Sequence, residues 1–125
     1  MLDDANVLKQ RDPNGALRIA GLQYQQANFS VDLQNPDNDN RPIKNIVVAG
    51  MGGSALAALS IKSWLKFELN DSFEIVRTYD LPVYVGRDTL VIVSSYSGNT
   101  EETLSCLDQA ESKGAQVAII TSGGK

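Results

Sequence analysis

The sequence predicts an α/β fold, a three-layer sandwich built on a parallel, flavodoxin-like sheet. Three observations carry that prediction. From Asn45 onward, short apolar runs of strand length alternate with longer segments rich in Ala, Leu and charged residues, the pattern of βαβ units. The first run, "NIVVAG", is apolar almost throughout rather than at alternate positions, which marks a strand covered on both faces. Two strand-to-helix turns, "GMGGS" and "SSYSGNT", are both dressed in glycine and hydroxyl residues, and a shared dress implies a shared location.

Taken in order, Asp12 and Pro13 read as an N-cap and first helical residue. Leu17, Ala20, Tyr24 and Ala27 then recur at helical spacing, predicting a short amphipathic helix to about Asn28. "QNPDNDNRP", Gln34 to Pro42, has two prolines and five Asn or Asp residues, which is loop chemistry. It divides a helical arm, residues 1–42, from the first part of an α/β domain, residues 43–125.

"NIVVAG", Asn45 to Gly50, is the first strand. "SALAALSIKSWLKFEL", Ser54 to Leu69, predicts a helix stopped by Asn70 and Asp71. Its Trp64, Leu65, Phe67 and Leu69 spread apolar surface wider than one stripe, which predicts burial against the arm, the sheet or a second copy. "SFEIVRTY" is the second strand, "DLPVYV" a turn and short extended connection, and "TLVIVSS" the third strand. "NTEETLSCLDQAESKG" predicts a helix with Lys113 in its last turn and Gly114 as C-cap. Asn99 and Glu102 have capping-box spacing at its start. "AQVAIITSGGK" is the fourth strand. A parallel strand there needs a helix to cover it, so the reading predicts a domain incomplete at its C-terminus.

Composition narrows the function. A chain of 125 residues has the length of one domain. Eleven basic and 15 acidic residues leave a charge of −4, with no basic footprint for a nucleic acid or an anionic membrane. No apolar run approaches the roughly 20 residues of a membrane span. A single cysteine, Cys106, fits a reducing compartment, and a soluble, cytoplasmic protein is expected. With no histidine and one cysteine, neither a zinc site nor a Ser-His-Asp or Cys-His arrangement has its parts; no metal or cofactor is expected.

The two loops carry what chemistry there is. Gly50, Gly52 and Gly53 let a ligand approach the backbone, and Ser54 adds a hydroxyl where the first helical amides point outward. The same loop satisfies G-x-G-x-x-A from Gly50 to Ala55, a dinucleotide fingerprint. Its candidate ribose acid, Asp80, falls about 30 residues past Gly50, where about 20 is usual. In the second loop Ser95, Ser97 and Thr100 supply hydroxyls, Gly98 a tight turn, and Asn99 a further polar group. Capping explains Asn99 or Thr100 but leaves Ser95 and Ser97 over.

In strand order 2-1-3-4 the first and third strands are neighbours, and both loops meet at the crevice beyond their carboxyl ends. In the dinucleotide-binding order 3-2-1-4 the second strand would separate them. The doubled signal therefore favours 2-1-3-4. Helix N-termini, backbone amides and hydroxyls without Lys or Arg suit a compact dianion, a phosphate monoester. A triphosphate would call for "GKS" or "GKT", and neither string is present.

"NIVVAGMGGSALAA", "DLPVYV", "SSYSGNTEETL" and "AIITSGGK" together resemble the first half of the bifunctional phosphoglucose/phosphomannose isomerases, members of the sugar isomerase (SIS) domain superfamily. "MLDD" and "GALRIAGLQYQQ" resemble that family's helical arm. The resemblance implies a five-stranded parallel sheet between helices, and sugar 6-phosphate bound by Ser54, Ser95, Ser97 and Thr100. It implies interconversion of glucose 6-phosphate and mannose 6-phosphate with fructose 6-phosphate, and homodimers are common in the family. The family's catalytic glutamate, ring-opening histidine and transition-state arginine belong to later motifs that this sequence does not reach, so this chain alone is expected to be inactive. Glu101 and Glu102, in the first helical turn, read as capping carboxylates rather than a base. Lys125 stands near the same sheet edge, where it reads as a frayed terminus or a substrate contact. A regulatory SIS domain that senses a sugar phosphate would share the loops, and a dinucleotide-binding domain stays as a third reading.

Overall fold

The structure, a computed structural model, describes residues 4–31 and 39–124. The reading of Lys125 and most of the Gln34 to Pro42 loop lie outside the described residues. The chain divides into two compact units, residues 1–37 and 38–125.

The first unit holds two short helices, α1 (Ala5–Arg11) and α2 (Ala16–Gly21), followed by a 3-10 turn, Gln23–Asn28. Asp4 caps α1 by accepting from the Asn6 amide at 2.9 Å, a cap too close to the start of the chain to have stood out in the sequence. Asp12 does cap a helix, but from a distance. Its carboxylate accepts from the amides of Ala16 at 2.7 Å and Leu17 at 2.8 Å, while Gly15 sits in left-handed backbone at φ 67°. The helix expected from Pro13 therefore begins at Ala16. It also stops early, because the Leu22 amide bonds both the Arg18 and Ile19 carbonyls and tightens the last turn.

The second unit is the predicted α/β layer structure. Strands β1 (Asn45–Gly50), β2 (Ser72–Val76), β3 (Thr89–Ser95) and β4 (Gln116–Thr121) form one sheet in the order β2-β1-β3-β4. Every pair is parallel. Helix α3 (Gly53–Trp64) crosses from β1 to β2, and α4 (Glu101–Ser112) from β3 to β4. These crossovers run to opposite edges of the sheet, so right-handed connections put the two helices on opposite faces.

The core follows the period of two. Val47 and Ala49 of β1 and Val91 and Val93 of β3 are buried with Cys106 and Ala110 of α4. Val48, between two of them in β1, faces the other side, where Ala55 and Ala58 are the buried residues of α3. Leu81 and Val85 of "DLPVYV" also reach the core, at 6% and 5% exposed, so this connection is anchored as well as turned.

Two boundaries differ from the sequence reading. β2 ends at Val76 rather than near Tyr79. Beyond it the carbonyls of Thr78 and Tyr79 are taken by α4: Ser105 Oγ and Gln109 Nε2 donate to the Tyr79 carbonyl at 2.9 and 2.7 Å, and the Cys106 thiol donates to Thr78. The Leu81 amide in turn donates to Gln109 Oε1 at 3.0 Å. Side chains outbid the strand ladder for this backbone. α3 ends at Trp64 and continues only as turns. Trp64 and Phe67 are 78% and 92% exposed, so neither is buried against the sheet, and a last turn without packing there has little to hold it.

α4 closes one residue earlier than predicted, with Gly114 just past the cap rather than at it. Lys113 is the C-cap, Gly114 has φ 68°, its amide bonds Glu111, and the Ala115 amide bonds Ala110. This is the paired 6→1 and 5→2 bonding of a Schellman motif.

Candidate functional site

β1 and β3 are hydrogen-bonded neighbours whose register ends on Gly50 opposite Ser94. The two hydroxyl loops leave the sheet from that pair of residues, at the carboxyl edge. Gly50 lies so near β3 that a Cβ there would sit 3.1 Å from the Ser94 carbonyl oxygen. In the dinucleotide-binding order β1 would lie beside β2 and be separated from β3, so the observed order removes the fingerprint reading. Asp80 follows β2 in the segment clamped to α4, without a glycine-loop partner of its own.

In the first loop Gly52 is the N-cap of α3, at φ 52° and ψ −125°, with no side-chain cap. Gly53 opens the helix and Ser54, half-buried, stands in its first turn. The Ser54 amide bonds the Met51 carbonyl at 3.0 Å, which folds the loop back over the strand end.

The second loop is an internal hydrogen-bond network. Ser95, 7% exposed, shares a 2.9 Å hydrogen bond with Thr100 and accepts from the Gly98 amide at 3.2 Å. Ser97 accepts from the Asn99 amide at 3.3 Å. Thr100, not Asn99, is the N-cap of α4, and its side chain makes no capping bond. The expected Asn99 and Glu102 capping box is therefore not formed: the helix starts one residue later, and the Thr100 side chain shares its hydrogen bond with Ser95. The amides of the first turn of α4 are left without a side-chain cap. Glu101 accepts from the Tyr79 hydroxyl at 3.3 Å, and the charge of Glu102, with burial and Glu101 adding to it, pushes that phenol up from its usual range.

One part of the neighbourhood went unread in the sequence. After β4, the Ser122 amide and hydroxyl both donate to the Tyr96 carbonyl, at 3.3 and 2.6 Å. Gly123 and Gly124 lie against Gly98. Beneath this contact is a cleft of about 80 Å³ that Ser95, Gly98, Thr103, Ile119, Thr121 and Gly123 help to line. Thr103 is buried there, and its hydroxyl has no hydrogen-bond partner among the described residues. "TSGG" was the available signal, a third glycine and hydroxyl turn at the same sheet edge.

A broader groove of about 510 Å³ runs from Glu74 to Val83 along β2 and its following loop. It includes none of the predicted site residues, and its floor is a strand edge rather than a gathering of amides and hydroxyls. Among the described residues no group of acidic, histidine or cysteine side chains is placed to hold a metal ion, and no helix is long and apolar enough to cross a membrane. Cys106 is a core residue: burial first, then the charge of Asp80, pushes its thiol up, which makes it a poor nucleophile.

Comparison with known proteins follows the same residues. The model of the SIS domain matches residues 41–125. The chain is 43% identical over 98 residues to a bifunctional phosphoglucose/phosphomannose isomerase of Caldicellulosiruptor bescii, covering 78% of this chain and 27% of that one. It is 46% identical over 88 residues to the protein of that name from Aquifex aeolicus, covering 70% and 28%. A D-glucosamine-6-phosphate 4-epimerase of Sulfolobus acidocaldarius is 36% identical over 83 residues, 66% of this chain and 26% of that one. Among solved structures, a Bacillus subtilis protein provisionally described as a phosphosugar isomerase superposes with a TM-score of 0.63 at 27% identity, over 70% of this chain and 28% of that one. The chain thus spans about a quarter of the length of the curated relatives it matches.

Proposed function

Because the chain belongs to the SIS domain family, we propose that residues 43–125 are the first part of a sugar-phosphate-binding domain from an aldose-ketose isomerase. The whole protein would interconvert glucose 6-phosphate, and mannose 6-phosphate, with fructose 6-phosphate in the cytoplasm. The observation that carries this reading is the pairing of Gly50 with Ser94, which starts both hydroxyl loops from adjacent strand ends.

The phosphate would lie between the first turns of α3 and α4. Gly52 and Gly53 keep side chains out of its way, and Ser54, Ser97 and Thr100 offer hydroxyls. Gly98, in left-handed backbone at φ 69°, shapes the turn between them, and Asn99, exposed, offers its side-chain amide. Ser95 serves from below: since it accepts from the Gly98 amide, its own proton can turn to Thr100 Oγ1. That leaves the Thr100 proton for the anion. Neutral donors and two positive helix ends balance a dianion without a lysine.

Holding the phosphate fixes the reacting carbons and supplies binding energy remote from the chemistry. Aldose to ketose conversion needs a base to move a proton between C1 and C2, a ring-opening group, and charge for the developing oxyanion. The chain has no histidine, and Glu101 and Glu102 occupy the first turn of α4, where a carboxylate complements the helix dipole. We assign the base and the ring-opening group to the portion of the protein represented in the rest of the relatives' length. Relatives named as a phosphoglucose/phosphomannose isomerase and as a D-glucosamine-6-phosphate 4-epimerase support sugar-phosphate recognition more broadly than they support one reaction. Exposed Leu56, Leu59 and Trp64 on α3 fit the homodimer implied by the family resemblance.

Thermal unfolding with added ligand tests the reading. Fructose 6-phosphate should raise the midpoint, since a ligand at about 100 times its Kd adds roughly 2.7 kcal/mol. Fructose and NADH should not. Protection by NADH alone would overturn it, and isomerase turnover by this chain alone would overturn the placement of the base.

A further inference from the structure

Two glycines from different loops touch backbone to backbone beside the hydroxyl network. Gly98, in left-handed backbone at φ 69°, has the Gly123 carbonyl and the Gly124 Cα where a side chain would go: a Cβ there would meet the Gly123 oxygen at 1.9 Å. Gly124, at φ 115°, is closed from the other side, its Cβ position lying 2.7 Å from the Gly98 Cα and 3.0 Å from the Gly98 carbonyl. Real Cβ atoms do not approach other atoms so closely, so a methyl group at either position forces the loops apart. Gly123, between them in contact but not in direction, has open space at its Cβ position.

The contact is held by more than packing. Ser122 donates twice to the Tyr96 carbonyl, Thr121 Oγ1 accepts from the Gly123 amide at 3.2 Å, and its hydroxyl donates to the Gly123 carbonyl. Gly98 is thereby pinned on one side by Ser122–Gly124 and on the other by its amide bond to Ser95. Ser95 in turn holds Thr100. Displacing Gly98 would loosen each of these in sequence.

We propose that the Ser122–Gly124 turn is a positioning element of the anion site, with Gly124 as the positioning residue that sets the Ser95–Thr100 loop in its binding conformation. This rests on the phosphate reading given above. It adds that affinity depends on a residue more than 20 positions beyond the last proposed phosphate contact. A loop already held in its bound shape loses less freedom on binding, so loosening it weakens affinity without removing any ligand contact.

The test compares two neighbouring glycines in the 125-residue chain, with inorganic phosphate and fructose 6-phosphate as probes. Gly124→Ala should weaken both probes about tenfold or more, equivalent to about 1.4 kcal/mol, while Gly123→Ala stays within about twofold of wild type. Ser122→Ala, which keeps the backbone bond to Tyr96 and loses the hydroxyl bond, should fall between. Amide hydrogen exchange of Gly98 and Asn99 without ligand should quicken in Gly124→Ala and not in Gly123→Ala, a change that loss of a direct ligand contact would not cause. Equal affinities in Gly124→Ala and Gly123→Ala would overturn the proposal while leaving the phosphate reading standing. Failure of the wild type to bind either probe would overturn both. Should Gly124→Ala not fold, Ser122→Ala decides: unchanged affinity and exchange there count against the proposal.

Discussion

At the scale of single residues, the serines of the second loop divide by burial. Ser95 is buried and bonded to Thr100 and the Gly98 amide, so Ser95→Ala removes both side-chain bonds and leaves Thr100 without its partner, and should cost about 1 to 2 kcal/mol of stability in urea unfolding. Ser97 is exposed and accepts one amide at 3.3 Å. Ser97→Ala should therefore change stability by less than about 0.5 kcal/mol. Sequence could list both as hydroxyls; only the fold distinguishes the one that supports from the one that is free to bind. Asn99 and Glu102 show the same limit, because their capping spacing is real but the chain gives the N-cap to Thr100, whose side chain faces Ser95 rather than the helix amides. Cys106 is a core residue, 1% exposed. Its thiol should resist alkylation in the folded chain and react only with unfolding, as a thiol-labelling time course with and without denaturant would show.

At the scale of elements, strands were more legible than helix ends. β1 and β3 carry uninterrupted apolar runs whose limits are set by the sheet itself, and both were readable to the residue. Helix ends depend on what lies outside the helix: α3 stops at Trp64, where neither Trp64 nor Phe67 packs on the sheet, and no local pattern announces that. The arm shows how a cap can be recognised and misplaced. Asp12 was identified as a cap, but left-handed Gly15 moves the helix start to Ala16, and the carboxylate reaches across the turn to the Ala16 and Leu17 amides. Those amides, Leu17 first, hold the Asp12 carboxyl below its ordinary value of 3.8. A lowered folded value means that its support is fully present above the unfolded value and is lost as pH falls through the folded one. Acidification below about pH 4 should reduce arm helicity by circular dichroism, and Asp12→Asn should flatten that response. In the sheet, Val47 and Val91 are fully buried on adjacent central strands. Val91→Ala should cost about 2 kcal/mol in urea unfolding, from lost burial plus a residual cavity.

At the scale of the whole molecule, topology is what brings the two hydroxyl loops to one sheet edge. The order β2-β1-β3-β4 was inferable from the repeated dress of two loops, since loops equipped alike have reason to meet. It also removed the dinucleotide reading, which a motif taken alone had left open. The turn after β4 was not legible, because its role depends on backbone contact between Gly98 and Gly124, and a backbone contact leaves no side-chain signature beyond the glycines themselves. The central claim is that Ser54, Ser97 and Thr100 converge on one phosphate group. Calorimetric titration of fructose 6-phosphate into wild type and Ser97→Ala tests it most directly, with urea unfolding of each alongside. The account predicts saturable binding to wild type, affinity about tenfold weaker in Ser97→Ala, and nearly equal unfolding midpoints. Equal affinity in the two proteins, or no binding to wild type, would contradict it.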